Sequence, residues 1–236
     1  MIIRFRFARR REAMFMSHLD LMRAFSRAFR RTSIPIAYTE GFNPHAQMVF
    51  GLPLQVGVTS CAECLDIATT CFIDPGEAAA ELNAQLPAGL SVSEAREHVG
   101  KRNAMASITH AAYKMRVEDC GADSLGGADS LGGAVDAFMR ASAFVMPKET
   151  KSGTRDTDIR ALVRSLEADG GVLRMVVRAG SADNLKPDLL LAALNKIAAP
   201  QAAFQRVALH RTALYAERGD ALIDPLELGA EEPQYK

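Results

Sequence analysis

Residues 2–8 alternate strictly, Ile3, Phe5 and Phe7 against Arg4 and Arg6, and this two-residue period predicts a strand. From 18 to 31 the period lengthens to that of a helix. Leu21, Met22, Phe25, Ala28 and Phe29 fall on one face, with Arg23, Arg27, Arg30 and Arg31 on the other. Ser17 with Asp20 three residues on reads as a variant capping box, and Thr32, Ser33 and Pro35 end the helix. A strand near 36–39 or 46–51 follows, then strand 63–72, helix 75–86 opened by Asp74-Pro75, and strand 89–97. That order is β-α-β-β-α-β, the split arrangement of a ferredoxin-like domain.

One point stays open at this stage. If 36–39 and 46–51 pair as a hairpin, the turn Gly41–His45 comes near the start of the first helix, and His18 and His45 share a site. If only 46–51 is a strand, the two histidines lie at opposite ends of the sheet.

Residues 101–107 read as a linker, and the pattern then recurs. Strand 108–118, helix 134–142, strands 143–149, 157–167 and 171–178, helix 186–197 and strand 204–216 repeat β-α-β-β-α-β with one extra strand. The expected architecture is α+β, two tandem ferredoxin-like domains: 1–100, then 108–216 with a Gly-rich loop at 119–133, and an acidic tail at 217–236. Within the loop, Gly121–Gly126 is copied at once as Gly127–Gly132. It has no Gly-Lys-Ser/Thr, so a small duplication in a flexible loop explains it better than a nucleotide-binding loop.

Charge changes this picture. The net charge is zero, yet residues 1–50 carry nine arginines against Glu12, Asp20 and Glu40, a local +6. The end is acidic, with Glu217, Asp220, Asp224, Glu227, Glu231 and Glu232. The asymmetry points to an anionic partner for the first half, or to mutual neutralisation of the two ends. Four arginines and no lysine on one helix face fit either a solvated exterior or planar, bidentate phosphate recognition. No apolar run approaches the roughly 20 residues of a membrane span. Arginine interrupts the opening stretch at every second place, so it reads as a strand and not a signal segment; a cytoplasmic address is expected.

Candidate chemistry is sparse. His18 is either a packed histidine bonded locally or an acid/base group. Phe42, in the turn Glu40-Gly41-Phe42-Asn43-Pro44-His45, either plugs the core or offers a stacking platform beside His45. Cys61-Ala62-Glu63-Cys64, with Cys71 nearby, lacks a second C-x-x-C and reads as small thiols without a metal. No cofactor site is legible. The stretch from Lys148 to Arg160 is a second candidate anion contact or a polar hairpin tip.

The string FMSHLDLMRAFSRAFRRTSIPIAYTEGFNPHAQMVFGLPLQVGVTSCAE resembles the radical-SAM-associated domain of unknown function. Ser17, His18, Leu19, Asp20, Arg27, Arg30, Arg31, Pro35, Tyr38, Gly41, Phe42, Asn43, Pro44 and His45 match its pattern. Asp158-Ile159-Arg160 resembles its "D-I-R-P" element with Ala161 for proline, and Arg211-Thr212-Ala213-Leu214-Tyr215 its closing "R-T-x-L-Y". Ala46 and Gln47 depart from the family's proline and basic residue after the histidine. The resemblance implies a domain fused behind, or encoded beside, a cobalamin-type radical SAM protein, often next to a ribonuclease of the E/G type.

Together these expectations give an RNA-interacting accessory protein that works with a separate radical SAM enzyme in tRNA or rRNA modification or processing. RNA contacts are expected from Arg23, Arg27, Arg30, Arg31, Tyr38, Phe42, Asn43, His45 and Arg160. Two alternatives stand beside it. One is a metal-independent RNA-acting enzyme using His18 and His45. The other is an interaction module that binds the radical SAM protein without touching RNA.

Overall fold

The computed structural model describes residues 1–120, 127–150, 153–198 and 202–228. The chain is a mixed α+β protein with mostly antiparallel strands, and it divides into two compact units. The first comprises Met1–His110 with Arg211–Lys236, the second Ala111–His210. No helix among the described residues is long and apolar enough to cross a membrane.

In the first unit, strand β1 (Ile2–Arg9) leads into helix α1 (His18–Phe29), short strand β2 (Met48–Phe50), strand β3 (Thr59–Ala68), helix α2 (Pro75–Asn83) and strand β4 (Leu90–Glu97). β1 lies between β4 and β3, antiparallel to both, and β2 takes the far edge of β3. The spatial order is therefore β4-β1-β3-β2. Ile3, Phe5 and Phe7 meet Leu21, Phe25, Ala28 and Phe29 in a fully buried core. Phe7 and Phe25 sit edge to face at 4.9 Å, a favoured aromatic geometry.

The other face of β1 is buried as well. Arg4 forks onto Asp66 at 2.7 and 2.8 Å, and its third nitrogen reaches the Pro225 carbonyl at 2.8 Å. Arg6 pairs with Glu94 and Asp224. The expected linker 101–107 is part of this cover: short helix α3 (Ala104–Ser107) gives its Ala104 N–H to Asp66 at 2.7 Å. The start of the expected acidic tail is built in too, as strand β11 (Ala221–Ile223) and a turn capped by Asp224. Residues 229–236 lie outside the described residues.

In the second unit, strand β5 (His110–Asp119) is followed by helix α4 (Gly127–Arg140) and the hairpin of β6 (Val145–Thr150) and β7 (Gly153–Asp158). Strand β8 (Val163–Asp169), strand β9 (Val172–Arg178), helix α5 (Pro187–Ala198) and strand β10 (Phe204–Arg218) complete it. β10 ends in the first unit, where it pairs with β11. The order is β10-β5-β9-β8. Counting only these four strands in each unit, and leaving out the separate β6–β7 hairpin, both orders run fourth, first, third, second.

Two expectations are corrected here. The Gly-rich loop was placed at 119–133, but the second copy of its repeat opens α4. Leu131, Ala134, Val135 and Phe138 carry the buried helical stripe back into it, and that burial outweighs the cost of helical glycine, about 1 kcal/mol each. The first copy, 121–126, lies outside the described residues. The single strand expected over 157–167 is two, β7 and β8, broken by a turn at Arg160–Leu162. Asp158 holds that turn by accepting from the backbone N–H groups of Phe144 and Arg160.

Candidate nucleic-acid interface

α1 begins where its sequence says. The Ser17 hydroxyl oxygen accepts the Asp20 N–H at 3.2 Å and donates to the Asp20 carboxylate at 2.7 Å. That hydroxyl bond, with Arg23 beside it, holds the Asp20 carboxyl below its ordinary range. The buried stripe turns the arginines outward, and one flank of the helix forms an open groove of about 430 Å³. Met16, Asp20, Arg23, Ala24, Arg27 and Arg31 line it, and Pro87 stands on its far side.

The four arginines differ in what holds them. Arg23 makes a weak contact to Asp20 at 3.4 Å. Arg31 donates to the Gln85 side chain at 3.1 Å and to the Gln85 carbonyl at 2.6 Å, neutral acceptors that leave its charge uncompensated. Arg27 and Arg30 are exposed and have no hydrogen-bond or ion-pair partner among the described residues. A cation held on a packed helix and left unpaired is a ready donor for an anion.

The 36–51 segment takes the hairpin form. Tyr38 bridges Ala46, the Thr39 N–H donates to the His45 carbonyl at 2.8 Å, and the His45 N–H donates to the Thr39 hydroxyl at 3.0 Å. Gly41 sits at φ +124, a conformation L side chains rarely adopt. The turn carries Phe42 out to full exposure, so it does not plug the core. Asn43 and His45 are exposed beside it, and Tyr38 is 43% exposed.

The two histidines make no direct contact among the described residues. His18 packs its ring edge-on against Phe50 at 5.6 Å. Arg160, also expected among the RNA contacts, lies in the second unit and is held by neutral backbone acceptors. Its guanidinium donates to the Met139 carbonyl at 3.3 and 3.1 Å and to the Val163 carbonyl at 3.0 Å, over the Phe138 ring. It closes the end of α4. Cys64 is buried, which pushes its thiol up to about 12, while Cys61 is exposed; they make no pair of poised thiolates.

Sequence reasoning missed the residues that position the site. Arg9 is buried, and its guanidinium donates to the carbonyls of Met16, Leu54, Gln55 and Val58. It ties the entry of α1 to the loop before β3. Arg211, in the R-T-x-L-Y element, donates from Nη1 to both carboxylate oxygens of buried Glu63 at 2.9 Å and to the Leu52 carbonyl at 3.1 Å. Neither is legible locally: the acceptors of Arg9 are backbone carbonyls, and the carboxylate that meets Arg211 is far along the chain.

Fold and site together define an α+β protein whose first unit carries a basic groove along one helix. The chain belongs to DUF2344, a family of uncharacterized proteins conserved in bacteria, whose pattern matches residues 3–187. No curated protein matches the chain at a significant level.

Proposed function

We propose that this protein is an RNA-interacting accessory factor that acts in the cytoplasm beside a separate radical SAM enzyme, in tRNA or rRNA modification or processing. On this reading each unit is a ferredoxin-like domain; the fourth-first-third-second strand order in both supports that assignment. The observation that carries the RNA reading is the groove along α1, where Arg23, Arg27 and Arg31 converge and little acid opposes them. Exposed Phe42 and Tyr38 add faces on which unpaired bases can stack.

Anisotropy titration of the full chain with labelled tRNA, at several salt concentrations, tests it. Binding should be micromolar or tighter at low salt. Its logarithm should fall linearly with log salt by about 0.7–0.9 per phosphate neutralised. The Arg23→Ala/Arg27→Ala variant should bind more weakly with a shallower slope. No binding at low salt would overturn the reading.

A second reading has its own support. Phe15 is 72% and Leu19 61% exposed at the entry of α1, an apolar pair that fits a protein partner. If the protein only docks its radical SAM partner, Phe15→Ser/Leu19→Ser abolishes co-purification of the two, and RNA binding is absent throughout.

A further inference from the structure

The groove is built for one strand. Arg23 and Arg27 are four residues apart on α1, which offsets their Cα atoms by about 6 Å along the helix axis, and Arg31 follows just past the helix end. That offset is close to the spacing of neighbouring phosphates along one nucleic-acid strand. Apart from Asp20, the rest of the lining is apolar: Met16, Ala24 and Pro87. A ribose or an unstacked base packs against such a surface, whereas a paired base is already covered by its own stack.

The far wall is fixed from both ends. Arg31 holds Gln85 by two hydrogen bonds. Four residues on, the Gly89 carbonyl accepts the Arg10 N–H at 2.7 Å. Gly89 has φ +85, and a Cβ there would lie 2.6 Å from the Ala13 nitrogen. Only glycine lets the loop come this close. The Pro87 loop is therefore held in place, and Arg23, Arg27 and Arg31 share a groove with it. Asp20, ionised and at the N-terminal end of the row, repels phosphate and limits the ladder to the stretch from Arg23 to Arg31.

We infer that the α1 groove takes unpaired RNA: consecutive phosphates of one strand run along Arg23, Arg27 and Arg31, with a sugar or base held against Met16, Ala24 and Pro87. This rests on the RNA reading above and narrows it to single strands, loops and ends.

The test compares one short unstructured RNA with the same strand annealed to its complement, by anisotropy on the full chain at fixed salt. Arg27→Ala removes an exposed, unpartnered side chain, so the variant folds as the parent does. The single strand should bind at least about tenfold more tightly than the duplex. Arg27→Ala should weaken the single strand by roughly three- to tenfold and lower its salt slope by about 0.7. A duplex that binds as tightly as the single strand overturns this inference and leaves the RNA reading standing. A single-strand preference unchanged in Arg27→Ala overturns the groove as its source. Binding of neither form at low salt fails the RNA reading itself.

Discussion

The two units share a strand order and differ in what their first helices present. α1 and the turn that ends it carry Arg23, Arg27, Arg30 and Arg31 outward, whereas the corresponding helix of the second unit, α4, has Arg140 alone in its described last turn. The likeness extends to a small device. Asn83 near the end of α2 brackets Val92 in β4, donating to its carbonyl at 2.8 Å and accepting its N–H at 2.7 Å. Asn195 in α5 does the same to Phe204 in β10, at 2.9 and 2.7 Å, and the spacing is again nine residues. One side chain fills two backbone positions that the helix-to-strand turn would otherwise leave unpaired. A common frame, kept in both units, carries an arginine-faced first helix in only one among the described residues, so that face is a property of the first unit and not of the frame.

The largest expected effect comes from the buried charge that covers β1 in the first unit. Asp66→Ala strands Arg4 in a dry site and should cost about 3–5 kcal/mol, read by denaturant unfolding. A loss near zero would mean that water reaches Arg4. Next come the paired asparagines. Asn83→Ala and Asn195→Ala should each cost about 1–3 kcal/mol, because each leaves two backbone groups unpaired. Similar losses sharpen the correspondence between the units, and a loss in only one breaks it.

A charge reversal separates surface from frame. Arg23→Glu/Arg27→Glu should leave the unfolding midpoint within a degree or two while RNA affinity falls by about 100-fold or more, because both side chains are exposed. The smallest effect is at Asp20. Asp20→Asn keeps an acceptor for the Ser17 hydroxyl and removes the one acid in the groove, so RNA affinity should rise roughly two- to threefold. Its depressed carboxyl sets the sign for pH. The contribution to the α1 cap is complete above the unfolded-state value and is lost as pH falls through the lower folded value. α1 should therefore loosen only in acid, which amide exchange reads residue by residue.

How much the sequence disclosed follows from how local each signal is. The Ser17 cap, the arginine face and the hairpin glycine depend on neighbours within a turn, and all were legible. The buried pair of Arg4 and Asp66 joins residues 62 apart, and that of Glu63 and Arg211 residues 148 apart. Neither pairing can be read before the strand register is known. Arg4 and Arg6 were correctly set opposite the phenylalanines, but the cover that buries them comes from α3 and the segment after β11. In α4 the glycines masked a helix whose apolar stripe begins at Leu131. At Arg160 a basic loop residue looked free because its acceptors are backbone carbonyls, which carry no signature in the sequence.

The measurement that tests the account most directly is hydrogen–deuterium exchange of the full chain with and without saturating single-stranded RNA. Protection should appear in α1, in the 85–89 loop and across the 38–46 hairpin, with α4 and the β6–β7 hairpin unchanged. Protection centred on α4 or on β6–β7, with α1 unaffected, would contradict the assignment of the basic surface to the first unit.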